Sequence, residues 1–271
     1  MKNGIYYDLD KEKYHNDPGS TSKSFLWKMH KWTPAHAIGA DPFVPPPHVD
    51  MGTALHYALL EPHKAADFIV KGPKDRRGNK WTEAREELLP DQILVTEGDY
   101  DAVWKVQDIA SKHPIIKQVN AVTCHYEASA FFTHEPTGMQ VRSRPDTVVP
   151  DLGLMIDLKT TGEARPWRWA RIAGDLGYHC QEAVYTQGWT AAGGCEINGF
   201  LFMVVEQKAP FCIAVYELEP SAALEGAAVF DRTMALYKQC KDSEIWPGYP
   251  EEVQALDIPP FEYRETDKPE N

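Results

Sequence analysis

A chain of 271 residues and 30.6 kDa has room for one large domain or two small ones around a substantial core. Its 43% hydrophobic, 25% charged and 11% aromatic residues exclude collagen, coiled coil and disorder, and no run approaches the roughly 20 apolar residues of a membrane span. The polar start MKNGIYYDLDKEKYHND lacks the apolar stretch of a signal peptide, so a cytoplasmic protein with no membrane partner is expected, and a net charge of −12 argues against a polyanionic partner unless that charge is unevenly placed.

Between Pro45 and Pro62 the stretch VDMGTALHYALLEP predicts a short helix with Asp50 as N-cap, a proline at its end, and Met51, Leu55, Ala58 and Leu59 as its buried stripe. Residues 71–80 (KGPKDRRGNK) set Lys71, Lys74, Arg76, Arg77 and Lys80 against Asp75, a local +4 in a segment whose glycines and proline mark a loop. Three strands follow as a meander, at 121–132, 139–149 and 154–160, joined by the turn-like HEPTG and PDLG. A helix over about 178–192 leads into the apolar runs GFLFMVVE and FCIAVYEL, which suit strands. A last helix starts near Ser221, with Ala223, Ala227, Phe230, Met234 and Tyr237 on one face. Residues 1–250 are expected to form one domain. Residues 251–271, with seven acidic side chains against Arg264 and Lys268, form an acidic tail carrying −5 of the net charge.

Chemistry concentrates at Pro145-Asp146 and Asp157-Leu158-Lys159. In an extended strand Asp157 and Lys159 share a face while Ile156 and Leu158 turn into the apolar layer. The PDLG turn brings Asp146 back alongside Asp157. Two carboxylates meeting one ammonium on a sheet are costly unless something else occupies the site, and a hard divalent cation resolves the conflict through its preference for oxygen ligands. A bare D-x-K is commonly a surface ion pair. Here the strand LMIDLKTT is apolar enough to be central, which moves the weight toward function.

These residues resemble the PD-(D/E)xK nucleases with the restriction-endonuclease-like fold, and the likeness extends to one branch, the phage-type exodeoxyribonuclease VIII (RecE-type) domains. It is carried by Tyr14-His15, Ser22-Lys23-Ser24, Pro34-Ala35-His36, the block GTALHYALLEP, Glu127 with Ser129, RSRPD ending at Asp146, IDLKTT, and Tyr178-His179-Cys180-Gln181 with Tyr185. The resemblance implies an α/β (α+β) fold in which helices flank a central mixed sheet. It also implies a site in which Asp146, Asp157 and the Leu158 carbonyl ligate magnesium, with two ions per site, while His56 approaches the metal from its helix. Lys159 then stabilises the attacked phosphate or positions water, Glu127 stands close to the metals, and Gln181 and Tyr185 lie next to the scissile strand. A histidine ligand would make manganese at least as good a cofactor. Two cations suffice to activate water and stabilise the leaving 3′ oxygen, so no covalent nucleophile is needed.

The implied reaction is degradation of linear double-stranded DNA from its ends, 5′ to 3′, leaving 3′ strands for a RecT-type single-strand annealing protein in phage-type recombination within a bacterial host. Relatives form toroids, so a homo-oligomer, trimeric or tetrameric, is expected. Candidate DNA contacts are Arg76, Arg77 and Lys80 in the basic loop, Arg142 and Arg144 beside the catalytic aspartate, and Trp167 and Arg168 in a segment where Arg165, Arg168 and Arg171 interleave with Trp167 and Trp169. The alternatives are another nuclease of the same fold, single-strand-specific, endonucleolytic or Cas4-like, and a non-catalytic DNA-binding scaffold. The five scattered cysteines lack the spacing of the iron–sulfur cluster that Cas4-like enzymes often carry.

Overall fold

A proline in one arm and a glutamate at positive φ in the other break the long hairpin at the centre of the chain, and this break organises the fold. The computed structural model describes residues 1–40, 49–89, 92–119 and 121–259. The first part runs β1 (Gly4–Tyr6), α1 (Lys11–His15), β2 (Thr21–Ser22), α2 (Lys23–Lys31), α3 (Pro34–Ile38), α4 (Val49–Leu60), α5 (Pro62–Phe68), β3 (Ile69–Lys71), α6 (Asn79–Glu86), β4 (Ile93–Val95), α7 (Glu97–Ser111) and α8 (Pro114–Val119). It continues with β5 (His125–Tyr126), β6 (Ser129–His134), β7 (Met139–Ser143), β8 (Thr147–Val149), β9 (Leu154–Thr161), α9 (Pro166–Leu176), α10 (Tyr178–Ala191), β10 (Gly199–Glu206), β11 (Ile213–Tyr216) and α11 (Pro220–Ser243).

The expected meander is instead divided between two mixed sheets. β6 and β7 pair with each other and lie in the sheet ordered β1-β6-β7-β2, whereas β5 and β8 pair with each other in the sheet ordered β11-β10-β9-β8-β5. Pro145 has no N–H to give a ladder, and Glu127 takes φ 50°, so both arms leave the first sheet at the same level. The Glu127 N–H donates to the Asp146 carbonyl at 3.1 Å and ties the bend. Two predicted catalytic residues therefore sit where the hairpin passes from one sheet to the other.

β9 is interior to its sheet, antiparallel to β8 and parallel to β10. Its alternation sorts two cores. Ile156 and Leu158 pack with Met51, Leu55 and Ala58 of α4, while Met155 packs on the opposite face with Trp169, Trp189 and Phe202. The turn before β9 needs Gly153 at φ +56°, where a Cβ would meet Asn198 Nδ2 at 2.8 Å.

Asp50, expected as the N-cap, lies inside the first turn of α4, whereas the helix ends at Leu60 before Pro62 as expected, and Pro62 opens α5. The Arg/Trp segment folds as α9, whose Trp169 is core and whose Trp167 is exposed between Arg165 and Arg171. The buried face of α11 runs through Gly226, Val229, Phe230, Thr233, Met234 and Cys240; of the five residues named from the sequence, Phe230 and Met234 are buried and Ala223, Ala227 and Tyr237 partly so. After α11, Trp246 packs on Phe25 and Tyr237; residues 251–259 of the acidic tail are exposed, and 260–271 lie outside the described residues. No helix among the described residues is long and apolar enough to cross a membrane.

Candidate active site

Four elements converge on the bend. Asp146 leaves it with Oδ2 accepting the Leu158 N–H at 2.7 Å, so the carboxylate is bound to the edge of β9 by a backbone donor. His56 comes from α4, its Nδ1 lying 3.8 Å from the same oxygen and its ring hydrogen-bonded to the Leu158 backbone. Glu127 comes from the opposite arm. Ligand atoms of His56, Glu127 and Asp146 all lie within 4.8 Å of one another, the only such group of three among the described residues.

Beside this trio, β9 presents Asp157 and Lys159 toward α10. Asp157 is 1% exposed; its Oδ1 accepts from the Gln181 side-chain amide, and its Oδ2 forms an ion pair with Lys159 Nζ at 2.5 Å. The Lys159 ammonium also sits over the Tyr178 ring, 4.5 Å from its centroid. Gln181 and Tyr185 are one turn apart on α10, and Tyr185 shares the electrostatic surroundings of Asp146, Asp157 and Glu127.

Burial dominates the electrostatics of the site. Burial pushes the Asp146 carboxyl up to about 6, against the pull of Lys159 and the Leu158 amide. Burial likewise lifts Asp157 to about 6, again against Lys159. Glu127 rises to about 8, through burial first and the neighbouring Asp146 second. Burial and then the Lys159 charge lower His56 to about 4, which keeps its imidazole neutral and able to act as a ligand. For Lys159 burial works against the ammonium, but Asp157, Tyr178 and Asp146 outweigh it and hold the group above its ordinary value.

These residues fit a divalent cation. Two carboxylates and a neutral imidazole present nearby donor atoms, and a cation would offset the burial that raises the Asp146 and Glu127 carboxyls together with the repulsion that Asp146 adds at Glu127. The nitrogen donor also suits manganese. The site opens into a cavity of about 830 Å³ lined by His56, Glu127, Arg144, Lys159 and Tyr178 among others. Gly52 keeps it open one turn before His56: a Cβ there would come 3.1 Å from Thr160 Oγ1, which also accepts the Gln207 side-chain amide.

The other sequence candidates divide by how their charges are used. Arg142 is committed to the fold, since its guanidinium donates to the carbonyls of His15, Asp17 and Ser20 and to Ser20 Oγ. Arg144 donates to Ser129 Oγ and the Leu9 carbonyl over the Tyr14 ring, yet still lines the cavity. Arg76 bridges Asp50 and Asp99, and Arg77 forks onto Asp75, so neither is a free phosphate contact; Lys80, Trp167 and Arg168 are exposed. Asp157, expected among the metal ligands, contacts Gln181 and Lys159 beside the trio of His56, Glu127 and Asp146. Tyr178 and Lys11 are among the cavity residues to which the sequence assigned no role. Tyr178 follows Gly177, the left-handed residue that ends α9, a helix-junction signal. Lys11 is more than 100 residues away in sequence and carries no signal.

Comparison with known proteins agrees with this architecture. The sequence profile of a PDDEXK-like domain of unknown function (DUF3799) matches residues 27–259. A solved structure from Eubacterium rectale, named "Putative exonuclease", superposes with a TM-score of 0.62 at 13% identity, covering 93% of this chain and 96% of that one. A phage related exonuclease from Haemophilus somnus 129PT aligns over 88% and 92% of the two chains at 11% identity, with a TM-score of 0.37. No curated protein matches the chain.

Proposed function

The chain belongs to the PDDEXK-like family DUF3799, and from that premise we propose that it is a metal-dependent nuclease that hydrolyses DNA from free ends. The observation that supports this reading best is the meeting of His56, Glu127 and Asp146 beside the Asp157–Lys159 pair in one open cavity. A bound divalent cation supplies Lewis acidity, making water more acidic and offsetting phosphate charge. Asp146, Glu127 and His56 would hold it, with the Leu158 backbone fixing Asp146 and His56 in place. Lys159, anchored by Asp157 and Tyr178, keeps its proton and faces the charge that develops on the attacked phosphate. Gln181 fixes Asp157, so the lysine is aimed by a chain of contacts that begins on α10.

The finer reading is a RecE-type exodeoxyribonuclease that acts on linear duplex DNA 5′ to 3′ with Mg²⁺ or Mn²⁺, two ions per site, and leaves a 3′ strand for a RecT-type annealing protein. The RecE-like motifs of the sequence support it. A ring of copies around the duplex would allow an acidic exterior with the exposed Lys80, Trp167 and Arg168 available to DNA. A protein that is monomeric in light scattering yet degrades long duplexes processively would refute the ring. The site itself is tested by titrating Mn²⁺ into wild type, His56→Ala and Glu127→Ala at equal concentrations in a calorimeter. Saturable binding that weakens in both variants is expected; equal binding in all three would remove the ligand assignment.

A further inference from the structure

The cavity has an aromatic wall that the hydrolytic site does not use. Tyr57 of α4 and Phe68, the last residue of α5, both line it, half-buried, with ring planes 9° apart and centroids 5.1 Å apart. That is the offset parallel geometry of two stacked aromatic rings, and a third flat ring extends such a stack at little cost. Tyr57 directly follows His56, so the platform is attached to the helix that brings a ligand to the carboxylates.

Cationic groups border the same cavity. Lys64 lies four residues before Phe68 on α5 and therefore on the same face, where it pairs with Glu61. Lys11 enters from α1 and makes no ion pair among the described residues, and its charge reaches both His56 and Glu127. One open cavity thus offers aromatic faces, ammonium groups and the carboxylate centre. A polynucleotide strand with unpaired bases presents the matching features, flat bases and phosphates at regular intervals.

We propose that Tyr57 and Phe68 form a stacking platform for an unpaired nucleobase next to the cleaved phosphate, with Lys11 contacting an adjacent phosphate. The substrate in the cavity is then a single strand, and a duplex end must open by at least one base pair to reach the carboxylates. This inference rests on the nuclease reading and deepens it.

The test uses the full chain and two fluorescein-labelled probes of equal length, a dT12 oligonucleotide and its abasic counterpart, measured by anisotropy in Ca²⁺ buffer. Wild type is expected to bind dT12 about tenfold more tightly than the abasic strand, the scale of one base–aromatic stack. Phe68→Leu keeps apolar volume but removes the π face, and should lose most of that preference with an unchanged melting temperature. Phe68→Trp should retain it. Lys11→Ala should weaken both probes alike and reduce the dependence of affinity on salt, because it removes a phosphate contact and no base contact. Equal affinity of wild type for both probes, including no measurable binding of either, would overturn the platform, as would an unaltered preference in a folded Phe68→Leu protein. A wild type that keeps the base preference but cleaves nothing with Mg²⁺ or Mn²⁺ would instead sink the nuclease reading and leave a strand-binding site.

Discussion

Arg142 and Asp146 lie four residues apart on the same arm of the broken hairpin, and they show two ways of burying charge. The Arg142 guanidinium finds its acceptors within the chain, on residues 15–20, and holds the N-terminal segment against β7. Asp146 receives one backbone donor and faces Glu127 and His56, and burial holds its carboxyl up to about 6 against the pull of Lys159 and the Leu158 N–H. A buried charge whose partners are all supplied by the protein does structural work. One whose nearest neighbours share its sign, or compete for the same proton, marks a place where something else is meant to bind.

The largest expected effect breaks the second half of that contrast. Asp146→Asn should reduce cleavage by at least on the order of 10²–10³-fold while leaving the fold intact, because it removes a ligand charge and relieves repulsion. Its metal-free melting temperature should not fall; a folded variant with wild-type cleavage would remove Asp146 from the site. Arg142→Ala should do the reverse, costing about 2–4 kcal/mol of stability through lost charged hydrogen bonds, with the folded fraction still active. Urea denaturation beside activity per folded molecule separates the two, and a stable but inactive Arg142→Ala protein would move this residue back to the DNA.

pH sharpens the comparison further. Glu127 has a folded-state pKa raised from 4.5 to about 8, so between those values the folded protein retains a proton that the unfolded chain has lost. Stability of the metal-free protein should therefore fall as pH rises toward 8. His56, lowered from 6.5 to about 4, acts in the opposite sense, but only below about 6.5. In the window from pH 6.5 to 8 Glu127 contributes most, joined by Glu182, which burial lifts to about 7, and less by Asp146 and Asp157 nearer 6, while Lys23, lowered by burial to about 8, acts in the opposite sense at the upper end. Unfolding free energies in chelator at three pH values should show the decline, and Glu127→Gln should flatten it. A decline of equal slope in the variant would place its origin elsewhere. The smallest effect belongs to exposed Lys80: Lys80→Ala should weaken DNA binding uniformly across sequences and lower the salt slope by about one, measured by anisotropy over a salt series. No change in slope would take Lys80 off the DNA path.

The motif strand was the most legible part of the molecule. Period-two alternation in LMIDLKTT already separates Ile156 and Leu158 from Asp157 and Lys159, and those pairs do face opposite layers. The paired apolar runs likewise form the antiparallel β10–β11 pair. The bend was not legible, because a strand that leaves one sheet for another keeps its apolar pattern while changing partners, and φ at Glu127 is set by tertiary pairing. α7 is readable in principle from Thr96 at its N-cap and the buried stripe Val103, Val106 and Ala110. The uses of Arg76 and Arg142 were hidden for a different reason: a run of basic residues looks the same whether its acceptors are phosphates, or carboxylates and carbonyls brought from distant parts of the chain.

The central claim is tested most directly by incubating a 5′-phosphorylated linear duplex and the same DNA as a closed circle with the protein, in Mg²⁺, in Mn²⁺ and in chelator, with Lys159→Ala as control. Loss of the linear form alone, dependent on metal and on Lys159, is the predicted result. Cutting of the circle would contradict action from ends, and intact DNA of both forms in either metal would contradict a nuclease site at the bend.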